Sequence, residues 1–431
     1  MRSALIALAA LAQLTLSVAA DDFVKIPLYR RSSDGVVTAA GKALDNGVLA
    51  GTVNIGNPPQ EFTVAFDTSS GYSWVRGSRC KSTNCLDRCT YYARNSNSSV
   101  PTGKKFSVKY GDNCVDTHIY YDTWEFAGIT VHNQPFGGAY RMSGFSHGFD
   151  GYLGLGPNVN LNTSKLVLAP STGRSSLAKR DGGASGFVPN AYQTGAGVGS
   201  NQFGVYTSGQ GNGMGAPPGG SGTNPPPPPP ANTTTTAPPP PRSASQPQPD
   251  GFLVIGGVDT SAIKGNITYF DVDKSKKGHD KGWDICISHV GIGKLGLKQQ
   301  EGAIAAISTS SPYIVMPDCQ ADEFKKTFGG KFYKSKGTYS VKCSEIKDLP
   351  ALKLDFLGKV VELPAKYWTR EIDGDRDCCE VLLSKGASPT DWILGAPFTN
   401  AFYTTFDATN EQVGLAITAT SNDPDLKIYD L

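Results

Sequence analysis

Histidine is scarce, with five residues in a chain of 431. His118, His132, His147, His279 and His289 lack the short, regular spacing of metal-ligating histidines, so no metal centre is expected. An excess of charge is also missing. Lysine and arginine total 40 against 38 acidic residues, a net charge of +2. That balance makes no broad field to hold nucleic acid or an anionic membrane surface. The basic run at residues 274–277 reads as a solvated loop. Beyond residue 20 no apolar run is long enough to span a bilayer. Residues 421–431 are polar and charged and carry no lipid-anchor signal.

What the chain has in quantity is glycine and proline, 50 and 29 residues, beside 39% hydrophobic and 18% charged residues. This composition suits a soluble protein rich in strands and loops. The length allows two lobes with sizeable cores. Residues 1–20 are expected to be a signal peptide. Arg2 supplies the positive end, an apolar core follows, and Val18-Ala19-Ala20 offers a small-residue cleavage site. Between residues 208 and 249 the composition shifts to proline runs, a threonine run, glycine and serine. Such a segment cannot bury enough apolar area to fold, and is expected to be a disordered, O-glycosylated insert. Asn97, Asn162, Asn232 and Asn266 each begin an N-glycosylation sequon. Nine cysteines in a secreted chain are expected to be mainly paired.

One stretch occurs twice. Residues 64–75 and 305–316 share a layout in which an apolar run leads into Thr-Ser-Ser, at Thr68 and at Thr309. Tyr72 and Tyr313 then fall in register. A second pair supports the match, Tyr152-Leu153-Gly154 and Ile393-Leu394-Gly395. Gly154 follows Asp67 at the same interval as Gly395 follows Ser308, which argues for a duplicated architecture.

The two stretches resemble the active-site loops of pepsin-like aspartic peptidases, patterned hydrophobic-hydrophobic-Asp-Thr-Gly-Ser/Thr. Further segments agree in order. Residues 49–60 resemble the family's first hairpin. Residues 106–112 resemble its flap, with Tyr110 at the position of the flap tyrosine, although Asn113-Cys114 replaces the usual tip. Phe149-Asp150-Gly151 opens a family motif in which Asp150 is expected to be a turn residue. The resemblance implies an all-β, bilobal acid-protease fold, with two pseudo-symmetric β-barrel-like lobes around a cleft. Residues 49–207 would form the N-terminal lobe and 250–420 the C-terminal lobe. Residues 21–48 would be a short prosegment-like region, and 421–431 a polar tail. The Ile26-Pro27-Leu28 stretch is either a degenerate prosegment or a strand that stays in the mature sheet. The family pattern also implies a Cys80–Cys85 bridge, and a Cys343 bridge to Cys378 or Cys379. Cys89 with Cys114 is expected as an extra bridge, Cys319 as partner of the vicinal cysteine left over, and Cys286 as the odd thiol.

The catalytic motif departs from the family. Asp67 and Thr68 are kept, but Ser69 stands where the family has Gly. In the second loop Thr309 is kept, while Ser308 replaces the other Asp and Ser310 replaces Gly. Ala396 stands where a further Asp is frequent. In the family two carboxylates share one proton and hold the attacking water, and their pKa values split because both cannot ionise together. A serine hydroxyl donates a hydrogen bond but cannot exchange that proton. Asp67 is therefore expected to titrate as an ordinary or serine-bonded carboxylate. The retained threonines would brace the two loops. The expectation is a secreted, monomeric homologue that has lost or nearly lost proteolysis and binds peptide or unfolded protein in its cleft, with no cofactor. The alternatives are an active endopeptidase with an atypical Asp67/Ser308 site, and an inhibitor or wall-associated binding protein.

Overall fold

A computed structural model of the chain describes residues 23–30, 41–43, 48–86, 88–110, 113–145, 149–161, 184–207, 251–275, 282–328, 331–333, 338–372 and 375–431. The expected leader and the proline-rich insert lie outside the described residues, as do Asn162 and Asn232. Asn97 and Asn266 are exposed.

The strands follow from two sequence patterns. Leu352–Phe356 alternates, with Leu352, Leu354 and Phe356 buried and Lys353 turned outward, as a half-covered strand does. Gln60–Asp67 ends in a continuous run in which Val64, Ala65, Phe66 and Asp67 are all buried. That suits a strand covered on both faces beside a parallel neighbour, here Gly151–Gly154.

Three sheets are formed. The largest has 14 strands and draws on both halves of the chain. From one edge it runs through Ile263–Asp271, Gln412–Thr418, Tyr403–Asp407, Gln202–Thr207 and Gly251–Ile255. Val24–Arg30 comes next, joined through Gly41–Ala43 to Leu49–Ile55 and Gln60–Asp67. The far side continues through Gly151–Gly154, Trp74–Arg76, Ile129–Ser143 and Asn113–Phe126, and ends at Val100–Tyr110. The segment holding Ile26-Pro27-Leu28 is thus an internal strand, antiparallel to Gly251–Ile255 and parallel to Gly41–Ala43. Ile26 and Leu28 are buried in the core.

An 8-stranded sheet and a 5-stranded sheet are built from the second half. Lys427–Asp430, within the expected polar tail, forms the edge of the latter against Lys359–Leu363.

The repeat seen in the sequence recurs in strand pairing. Gln60–Asp67 lies parallel to Gly151–Gly154, which lies antiparallel to Trp74–Arg76, which lies parallel to Ile129–Ser143. In the second half Ile304–Ile307, Trp392–Leu394, Ile314–Met316 and Asp375–Lys385 repeat the same three senses. Gly154 and Gly395 allow the loop to pass behind the strand. A Cβ at Gly154 would lie 2.6 Å from the Tyr72 amide nitrogen, and one at Gly395 would lie 2.2 Å from the Tyr313 carbonyl oxygen.

The expected all-β pair of barrel-like lobes needs correction. The structure is mostly β with mixed parallel and antiparallel sheets, and it includes helices such as Asp318–Phe328 and Phe187–Gln193. None of the sheets closes into a barrel. The two ends of the largest sheet, Ile263–Asp271 and Val100–Tyr110, do not pair with each other. Strands from both halves are spent on one shared sheet, so neither half closes on itself.

The cysteines also differ from expectation. Cys80–Cys85 and Cys343–Cys379 are disulfides. Cys89 is a free, exposed thiol and Cys114 a free, partly buried one, so the expected bridge between them is absent. Cys319 is likewise free and exposed, and the expected Cys319–Cys378 bridge does not form.

Candidate active site

The two repeated loops meet at their threonines. Thr68 Oγ1 donates to the Ile307 carbonyl at 2.8 Å, and Thr309 Oγ1 donates to the Phe66 carbonyl at 2.7 Å. Each hydroxyl also accepts the other threonine's backbone amide, at 3.0 Å and 3.3 Å. Both side chains are buried, so the clasp satisfies groups that would otherwise be orphaned. Each loop is held from behind as well. The Leu155 amide donates to the Asp67 carbonyl and the Ser308 amide to the Leu394 carbonyl. Asp150 is part of this scaffold, accepting the Thr63 amide on Oδ2 at 2.8 Å.

The clasp brings Asp67, Ser69, Ser308 and Ser310 together. Asp67 has no exposed surface, and Ser308 is buried. Asp67 Oδ1 accepts the Ser69 amide at 3.0 Å, the Ser69 hydroxyl, and the Ser310 hydroxyl at 2.8 Å. Ser308 does not touch the carboxylate. Its hydroxyl lies 3.2 Å from that of Ser310, one step further along a chain of hydroxyls. Asp67 Oδ2 is buried with no hydrogen-bond partner.

Burial raises the pKa of Asp67 above its usual 3.8 and outweighs the Ser69 and Ser310 hydrogen bonds, which act in the opposite direction. The Tyr110 hydroxyl adds a smaller effect that favours the ionised form. Among the described residues, the groups that shift Asp67 are hydroxyls and an amide, with no carboxylate among them. Of the expected ordinary or serine-bonded carboxylate, the serine bonds are present, but burial outweighs them and raises the pKa of Asp67. Its sequence neighbours gave the hydrogen bonds but not the depth of burial.

Aromatic rings enclose the acid. Tyr110, at the end of the strand Val100–Tyr110, accepts a hydrogen bond from Trp74 Nε1 at 3.1 Å. Its ring packs edge-on against Tyr152 at 5.1 Å and Phe145 at 5.6 Å. Burial, and then the nearby Asp67 charge, pushes the hydroxyls of Tyr110 and Tyr152 well above the usual tyrosine range.

Sequence reasoning missed three features. Trp74 and Tyr152 escaped notice as site residues, although both stand in the repeated segments. Ser69 and Ser310 were noted only as replacements of the family's glycines, whereas both hydroxyls bind the carboxylate. The signal available was that both glycine positions of the motif had changed to the same hydrogen-bonding residue.

Residues 49–174 and 243–418 match the family described as eukaryotic aspartyl protease. The chain belongs to that family. Among curated relatives it is similar to cathepsin D of Canis lupus familiaris, 26% identical over 386 residues, covering 85% of this chain and 79% of the relative. Renin of the same organism is 26% identical over 377 residues, covering 85% and 78%. Gastricsin of Rattus norvegicus is 28% identical over 376 residues, covering 85% and 80%. Aspartyl-protease membership thus rests on both halves of the chain, and the two loops lie inside the matched segments. No helix of the described residues is long and apolar enough to cross a membrane.

Proposed function

We propose that this aspartyl-protease homologue is secreted, has lost peptide-bond hydrolysis, and acts by binding an extended peptide or an unfolded protein segment beside Asp67. The observation that carries this is the set of groups around that acid. Ser308 takes the sequence position of the second carboxylate, and the side-chain groups that hydrogen-bond Asp67 are the hydroxyls of Ser69 and Ser310. An alcohol donates a hydrogen bond to the acid but has no proton to exchange with a bound water in the working pH range. Loss of one positioned acid-base group costs about 10²–10⁴ in rate, and more when the pair acts as a unit. The threonine clasp keeps the two loops in place, so a binding surface survives without the chemistry. Secretion is supported by the leader-like opening, the sequons and the two disulfides. The protein works as a monomer and needs no cofactor.

One observation favours a second reading, that of an active endopeptidase with an atypical site. Among the described residues Asp67 Oδ2 has no hydrogen-bond partner by distance and angle, and only the nearby Tyr110 hydroxyl acts on the acid from outside the serine loops. A single experiment separates the two. Highly purified protein, trimmed of residues before the first strand, is assayed on an unfolded protein substrate between about pH 3 and pH 6. No turnover is expected, in parallel with the Asp67→Ala variant. Turnover that Asp67→Ala abolishes would establish the second reading and reject the first.

A further inference from the structure

A cavity of about 330 Å³ lies away from the acid, and none of the residues around Asp67 lines it. Its walls come from the turn after Trp74–Arg76, the 3-10 turn Ala93–Asn95, and the strands Asn113–Phe126 and Ile129–Ser143. The lining combines Arg79, Arg94 and His118 with Tyr91, Tyr92 and Tyr120, and among the described residues contains no carboxylate. Arg79 and Arg94 are exposed, and neither has an acidic partner among the described residues. The charge of Arg79 reaches into the cavity, where it acts on both His118 and Tyr120. Lys105 adds to the positive character, since it too acts on His118. Gly138 makes room for the Tyr120 ring, since a Cβ there would lie 2.9 Å from it.

We propose that this cavity binds a small organic anion, a carboxylate or phosphate carried on a ring. Two guanidinium groups with no acidic partner among the described residues present planar donors that match either oxyanion. The exposed Tyr92 and half-buried Tyr120 supply flat walls for the ring, while Tyr91 lies buried behind them with its hydroxyl committed to Asp122 and Ser99. The volume falls at the lower end of small-molecule sites. The site does not depend on the reading of Asp67, because the two share no residue.

The test is titration of the whole protein with phenyl phosphate, benzoate, phenol and inorganic phosphate, followed by calorimetry or amide chemical shifts. At least one of the two ring acids is expected to bind, and phenol to bind far more weakly. Tighter binding of benzoate would mark a carboxylate site, and tighter binding of phenyl phosphate a phosphate site. The double variant Arg79→Gln/Arg94→Gln alters exposed positions only, and its thermal midpoint serves as the folding control. It is expected to weaken the ring acid by about tenfold or more, as loss of charged hydrogen bonds does. The proposal is overturned if phenol binds as well as the acids, if inorganic phosphate binds as tightly as phenyl phosphate, if the folded double variant binds unchanged, or if neither ring acid binds.

Discussion

At Asp67, burial and hydrogen bonding oppose each other, and burial wins. A carboxyl whose folded-state pKa is raised holds its proton longer in the folded protein than in the unfolded chain. Its contribution to stability is complete below the unfolded value of 3.8, and is lost as pH rises through the higher folded value. Asp67→Asn removes the ionisation while keeping an oxygen for the serine hydroxyls. The variant is expected to melt at a higher temperature than the parent near neutral pH. The gap should shrink as pH is lowered towards 3.8, a trend that thermal melts over a pH series would reveal. A gap that widens on acidification would contradict the assignment. The sequence showed which residues neighbour this acid, because the serines sit within the two short repeats. It did not show the depth of that burial, because the rings that interact with the acid, Tyr110 and Tyr152, stand on strands far apart along the chain.

Between elements, the threonine clasp ties two loops that lie 241 residues apart in the chain. Thr309→Val keeps the shape and removes the hydroxyl. It leaves the buried Phe66 carbonyl without its 2.7 Å donor and the Thr68 amide without its acceptor. An unsatisfied buried group costs about 1–3 kcal/mol, so a loss of that size is expected in urea unfolding, with the slope unchanged. A loss below about 0.5 kcal/mol would mean the clasp is dispensable. The repeat was legible here because equal intervals between Asp67 and Gly154, and between Ser308 and Gly395, reflect the same strand crossing twice. Sheet closure was not legible. Alternation and turns specify where strands begin and which face is buried, but not whether the last strand returns to the first. The cysteines fail for a related reason. Cys89 and Cys114 can be paired on paper, but the fold keeps both as thiols.

Across the whole molecule, the strand Val24–Arg30 lies between elements of the two halves. Leu28 is buried in the core that both halves share. Leu28→Ala is expected to cost about 2–5 kcal/mol, since a cavity remains where the methyl groups were. Global unfolding in urea would measure it, and a cost below about 1 kcal/mol would show that the strand is peripheral. The sequence left this strand open between a prosegment and a permanent part of the sheet. The distinction rests on pairing with Gly251–Ile255, which no local pattern at residues 24–30 announces.

That pairing also orders events at the ribosome. The segment emerges early, yet the neighbour it hydrogen-bonds to along five registered positions, from Val24 with Ile255 to Leu28 with Gly251, is translated only in the second half of the chain. Throughout that interval the strand has only the three-residue Gly41–Ala43 beside its end, and its other edge is open to chaperones and to mispairing with other nascent chains. Completion of the largest sheet therefore waits on strands from the second half of the chain, the last of them Gln412–Thr418.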